Sequence, residues 1–123
     1  MKKIMVVDDE PDNIELMKII LTKYGFEPQT FTSPENAMNV LKAGYFPDLL
    51  ILDMRMPVMS GTDFCEELRK DNRFDDLKIV FFTASSDPDK AILEKYKAKG
   101  FIYKPFDIKE LVGQINMYLV QGI

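Results

Sequence analysis

The residues Leu49-Leu50-Ile51-Leu52 form an apolar run that ends on Asp53, and Met54-Arg55-Met56-Pro57 follows at once, then the turn residues Ser60-Gly61. A run of large aliphatic residues between turn signals specifies a strand buried on both faces, as in the middle of a parallel sheet. In open α/β sheets, ligands bind just beyond the carboxyl ends of such strands. An ionised Asp53 in that place is costly beside an apolar core, and the cost points to a cationic partner.

The rest of the chain alternates short apolar runs with amphipathic stretches, without repeats, low-complexity segments or linkers, which predicts a βα series. Strand one spans Lys3 to Val7 and ends on Asp8-Asp9-Glu10. Helix one starts at Pro11, carries Ile14, Met17, Ile20, Leu21 and Tyr24 at helical spacing, and stops at Gly25. Strand two, Phe26 to Phe31, contains Pro28 and so belongs on a sheet edge. Ser33-Pro34-Glu35 caps helix two, with Ala37, Val40 and Leu41 inward, and Gly44 closes it. Helix three is predicted from about Thr62 to Asn72 with Phe64, Cys65 and Leu68 inward. Strand four, Lys78 to Phe82, ends on Thr83-Ala84-Ser85-Ser86. Helix four follows Asp87-Pro88 with Ile92, Leu93 and Tyr96. Strand five, Gly100 to Tyr103, ends on Lys104-Pro105-Phe106. Helix five spans about Ile108 to Val120, with Leu111, Val112, Ile115 and Leu119 inward.

Right-handed crossovers put helices on both faces of such a sheet. With strand two at an edge, the fitting order is 2-1-3-4-5, a doubly wound α/β fold. That order brings the ends of strands one and three together, so Asp8, Asp9 and Asp53 share a crevice with Thr83 and Lys104 on its rim. The 123 residues, 46% hydrophobic, suit one domain spanning 1–123 and leave no room within it for an output domain. A net charge of -4 argues against nucleic-acid or anionic-membrane binding. The first apolar run is too short for a signal or membrane segment, and the single Cys65 suits a reducing, cytoplasmic setting. Histidine is absent, which excludes imidazole bases and His metal sites.

The chemistry follows from that crevice. Carboxylates at ~4 Å repel by about 4 kcal/mol per pair at an effective dielectric near 20. A hard divalent cation with oxygen ligands, best Mg²⁺, removes that repulsion. Asp53 can then act as nucleophile toward a phosphoryl group, with Lys104 and the Thr83 hydroxyl directed at its remaining oxygens.

Together Val7-Asp8-Asp9-Glu10, Leu52-Asp53-Met54-Arg55-Met56-Pro57 with Gly61, Thr83-Ala84 and Lys104-Pro105-Phe106 make the whole chain resemble a response-regulator receiver domain of two-component signalling, a flavodoxin-like (βα)5 fold. The resemblance implies that Asp53 is the phosphoacceptor in a stand-alone response regulator, signalling by a conformational switch or a phosphorelay. It implies that Asp9 and Asp53 bind Mg²⁺ directly, with Mn²⁺ as a substitute. Asp8 would act through water, and the Arg55 backbone carbonyl would complete the site. Thr83 and Phe101 would form the switch, and the Lys104-Pro105 bond would be cis. The implied donor is a histidine kinase or phosphotransfer protein. A downstream protein would bind the face of helix four, strand five and helix five, and the chain would be a monomer or a phosphorylation-dependent homodimer.

Three positions depart from the family's usual pattern. Phe101 stands where the switch aromatic is often Tyr, Arg55 lies at a variable position two residues past the acceptor, and Lys97 replaces the glycine that commonly ends helix four. Outside the crevice, Met54, Met56, Met59 and Cys65 read as packing residues, and the helix-four lysines as a solvated face. Two other classes remain open: a pseudo-receiver binding module, and a Mg²⁺-dependent phosphatase with an Asp nucleophile, which would want a second Asp where Arg55 stands.

Overall fold

The computed structural model describes residues 1–84 and 88–120. The Ser85-Ser86 turn after strand four and Asp87 before helix four lie outside the described residues. The strands are β1 (Lys3–Val7), β2 (Glu27–Phe31), β3 (Leu49–Asp53), β4 (Ile79–Thr83) and β5 (Gly100–Tyr103). They alternate with helices α1 (Pro11–Lys23), α2 (Pro34–Lys42), α3 (Gly61–Arg69), α4 (Ala91–Tyr96) and α5 (Ile108–Val120). All pairings are parallel and the order is β2-β1-β3-β4-β5. This is the doubly wound, flavodoxin-like sheet that the alternation predicts.

Strand β3 holds the centre because its side chains serve both faces. Leu49 and Ile51 enter the core shared with α1 and α5, whereas Leu50 and Leu52 enter the core under α2 and α3. All are fully buried, and each contributes about 1.5–3 kcal/mol through apolar burial. Pro28 lies on the edge strand β2, where its missing N–H leaves no ladder bond broken. Serine caps set where α2 and α3 begin: the Asn36 and Asp63 amides donate to Ser33 Oγ and Ser60 Oγ, each at 3.1 Å.

Several boundaries and faces differ from the sequence reading. Helix α3 stops at Arg69 because Asp71 accepts the Arg73 amide at 3.1 Å and starts a 3₁₀ turn, Asn72–Phe74, that buries Phe74. Strand β4 begins at Ile79 and retains Thr83. Tyr24 falls beyond α1 and is exposed, while Met38 and Tyr118 are buried where Val40 and Leu119 are only half-buried. Helix α4 buries no residue and ends on Lys97 in the left-handed region, φ 57°, a conformation that costs a non-glycine residue about 1–2 kcal/mol. Among the described residues no helix is long and apolar enough to cross a membrane.

Gly61 decides how closely α3 approaches the end of β3. Its amide donates to the Met54 carbonyl at 3.0 Å. A Cβ there would lie 2.5 Å from the Asp53 backbone oxygen and 2.9 Å from Met54 Cα. Both are rigid main-chain atoms, so the strand end or the helix would have to move.

Two alanine substitutions should therefore act in opposite directions. Gly61→Ala is expected to destabilise by about 1–3 kcal/mol through overpacking. Gly113→Ala, on the open surface of α5 with no atom near its would-be Cβ, should stabilise by about 0.5–1 kcal/mol. Urea unfolding of both variants checks this, and equal effects would show that the close approach at Gly61 is not restrictive.

Candidate functional site

Register brings the crevice residues level. Val7 pairs with Leu52, so the next residues, Asp8 and Asp53, emerge side by side from β1 and β3. Thr83 pairs with Tyr103, so Lys104 leaves β5 at the same end of the sheet. Carboxylate oxygens of Asp8, Asp9 and Asp53 lie within 4.8 Å of one another. Asp8 is 1% exposed and Asp53 6%, and Asp9 is half-buried.

Lys104 crosses β4 to reach them. Its Nζ lies 5.5 Å from the centroid of the Phe82 ring, donates to Asp8 Oδ2 at 3.0 Å and sits 3.4 Å from Asp53 Oδ1. Asp8 also accepts from the Glu10 amide at 3.0 Å and from Asn13 Nδ2 at 3.2 Å. Asp53 Oδ1 accepts the Arg55 amide at 3.3 Å. Burial, then the neighbouring Asp8 charge, push Asp53 up from 3.8 to about 6, although Lys104 and the Arg55 amide pull the other way. Burial alone would lower the pKa of Lys104. The hydrogen bond to Asp8 and the Asp53 charge outweigh it, so the net shift is upward and the ammonium stays charged at neutral pH.

The donor set fits a hard cation. Three carboxylates cluster here and the Lys104 ammonium contacts two of them, Asp8 and Asp53, leaving excess negative charge on oxygen ligands of the kind that Mg²⁺ takes.

The remaining sequence-selected residues fall as follows. Thr83 is buried at the end of β4, 5% exposed, and its carbonyl accepts the Lys104 amide at 2.8 Å. The Lys104-Pro105 peptide bond is cis. The Arg55 side chain is exposed, so of that residue only the backbone meets Asp53. Phe101 is buried, 6% exposed, with its ring 6.2 Å from that of Phe81. Asn13 escaped the sequence reading. Its signal would have been an amide side chain in the first turn of the helix that follows the acids.

Comparison with known proteins gives one consistent picture. The chain is similar to the DNA-binding response regulator MtrA of Mycolicibacterium smegmatis, with 34% identity over 96% of this chain and 50% of that protein. The chain thus spans about half the length of that relative. Among solved structures, Vibrio cholerae chemotaxis protein CheY4 superposes with a TM-score of 0.88 at 26% identity, covering 96% of this chain and 98% of that one. Response regulator protein TrrA from Thermotoga maritima, solved in complex with Mg(2+)-BeF, gives 0.81 at 36% identity over 96% and 99%. The family model described as "Response regulator receiver domain" matches residues 4–116.

The raised Asp53 pKa carries a stability consequence with a definite sign. Below roughly pH 4 the carboxyl is protonated in both folded and unfolded chains. As pH rises from 3.8 to about 6 the unfolded chain releases its proton first, so this group withdraws stability, and above that window the deficit is constant. In the presence of chelator at about pH 7.5, Asp53→Asn should be more stable than wild type by about 1–2 kcal/mol, a value reduced for solvent screening at the crevice mouth. At about pH 4 the two should nearly coincide. Urea titrations at both pH values check this, and a less stable Asn variant at about pH 7.5 would contradict it.

Proposed function

The chain belongs to the response regulator receiver domain family, and from that premise we propose that Asp53 accepts a phosphoryl group from a phosphohistidine on a histidine kinase or phosphotransfer protein, in a Mg²⁺-dependent reaction. The observation that carries the reading is the placement of a buried, poorly solvated Asp53 beside Asp8, Asp9 and the Lys104 ammonium. The residues 1–123 act as one receiver unit. Their signal leaves by a change at the surface or by passing the phosphoryl group onward. The protein is a phosphoacceptor rather than a turnover enzyme.

In the transfer, an Asp53 carboxylate oxygen forms a bond to phosphorus as the N–P bond of the phosphohistidine breaks. The leaving imidazole nitrogen keeps the electron pair and takes up a proton from solvent. Asp53 is ionised at neutral pH, and its burial leaves the carboxylate less hydrated than one in water, which favours attack. Asp9, Asp53 and the Arg55 carbonyl would hold Mg²⁺, with Asp8 through water, and Mn²⁺ suits the same oxygen donors. When bound, the metal supplies positive charge for the phosphoryl oxygens. Lys104 brings a fixed charge to another of those oxygens, and the Thr83 hydroxyl a donor.

The exposed Lys90, Lys95, Lys97 and Lys109, with the exposed ring of Tyr103, suit a downstream partner with an acidic surface, or a second copy presenting Glu94 and Glu110. Because Phe101 is already buried in the unmodified chain, inward rotation of its ring has little left to contribute. The changes left to phosphorylation are those at Thr83 and α4.

Two outcomes are expected. Acetyl phosphate with Mg²⁺ should add one phosphoryl group by intact mass, and none to Asp53→Asn or in chelator. A wild type that stays unmodified with both Mg²⁺ and a cognate donor would defeat this reading. Arg55, exposed at the crevice mouth, offers a planar fork for phosphate oxygens. Its replacement by Ala should change the dephosphorylation rate about tenfold, equivalent to about 1.4 kcal/mol, and an unchanged rate would show that the side chain only faces solvent.

A further inference from the structure

Arg69, the last residue of α3, directs its guanidinium entirely at backbone carbonyls. Nε donates to the Tyr96 carbonyl at 3.2 Å. One terminal nitrogen donates to the carbonyl of Phe74 and, at 3.3 Å, to that of Asp75. The other donates to the carbonyls of Leu77 and Lys97, both at 3.0 Å. One turn earlier on α3, the Cys65 thiol donates to the same Tyr96 carbonyl at 3.5 Å. A single side chain thus joins the end of α4, the 3₁₀ turn and the entry to β4.

The last carbonyls of a helix have no partner within it, and a cation at that end is favoured by the helix dipole. Arg69 meets both needs at α4, and it also holds the carbonyl of Lys97, the residue in the left-handed conformation. The opposite end of α4 has weaker support. The helix buries no residue, Ile92 and Leu93 are only half-buried, and the Ala91 amide is held by the neighbouring Asp89 carboxylate at 3.0 Å.

We propose that Arg69 is the fixed pivot of α4: it docks the Tyr96–Lys97 end on α3 and the 3₁₀ turn, so that α4 moves at its Ala91 end while the far end stays in place. The anchoring is independent of phosphorylation and, since a guanidinium does not deprotonate in proteins, of pH as well. Its role in signalling rests on the receiver reading. A change starting at Thr83 would then swing the Lys90 end of the exposed face and leave the α4–β5 turn unmoved.

Amide hydrogen exchange on the full chain tests this. In the unmodified protein, the Lys97 and Ala98 amides, bonded to Glu94 and Leu93 carbonyls at 3.3 and 2.8 Å, should exchange at least about tenfold more slowly than those of Ile92 and Leu93. Arg69→Gln should erase that gradient while β1 and β3 keep their protection, and Arg69→Lys, which lacks the fork, should behave like Gln. Adding Lys97→Gly to Arg69→Gln relieves the left-handed strain and guards against a failure to fold; the gradient should stay lost. Even exchange along α4 in wild type, or a gradient that survives Arg69→Gln, overturns the proposal. With beryllofluoride and Mg²⁺, exchange should change at Ile92 and Leu93 but not at Lys97 and Ala98, and equal changes at both ends also overturn it. No response to beryllofluoride, with the gradient intact in the unmodified protein, would count against the receiver reading and support the pivot alone.

Discussion

The contact of Lys104 with Asp8 and Asp53 is the interaction on which the crevice depends. Two acids at the ends of neighbouring buried strands repel each other where water cannot screen them well. The ammonium reaches them from the end of β5, two strands from β3 and three from β1, over the face of the Phe82 ring. Phe82 in turn stacks on Phe106 at 5.8 Å, so the residues flanking Lys104 pack behind its path. Lys104 only partly neutralises the group. Asp53 still sits well above an ordinary carboxylate, and the carboxylates that remain form a cluster of oxygen donors of the kind that hard cations take.

Helix α3 is the rigid body between that crevice and the α4 surface. At its start Gly61 lies against the backbone of Asp53 and Met54 with no space for a side chain. Phe64, Cys65 and Leu68 are fully buried along its length. At its end Arg69 holds the last carbonyls of α4. The two ends of one short helix therefore meet the proposed phosphoacceptor and the proposed output face. Packed interiors deform little, so α3 holds the Tyr96–Lys97 end of α4 in place relative to the β3 end and leaves motion to the Ala91 end.

Much of this was readable along the chain where local pattern and tertiary demand coincide. Strands β1, β3 and β5 and helix α5 fall on the residues that their apolar runs indicate. Pro28 announces an edge because the missing N–H cannot be hidden elsewhere. The crevice acids are legible for a related reason: charge directly after a buried apolar strand is costly without a partner, and several strand ends carry compatible groups to one crevice. Where local pattern is ambiguous, tertiary contacts decide the boundary. Nothing in the spacing of Arg69 to Asn72 ends a helix, and only the side chain of Asp71 capping a new 3₁₀ turn does so. Tyr24 follows the helical period of α1 but lies past its last turn, so the period no longer dictates burial.

The sequence by itself determined the βα alternation, the edge position of β2 and the residue types at each strand end, because burial, proline chemistry and charge cost act on each residue locally. Only the tertiary structure decided the distances that turn those residue types into a site, since register between strands and the reach of Lys104 across Phe82 are properties of pairs. It also decided two features that local pattern does not dictate. Phe101 is buried in the unmodified chain because the core under α2 and α3 extends as far as its ring. Lys97 occupies a conformation that favours glycine because Arg69, 28 residues earlier in the chain, holds its carbonyl. A left-handed lysine is locally unfavourable, and the backbone bond from Ala98 to Leu93 together with the hydrogen bond from distant Arg69 offsets that cost.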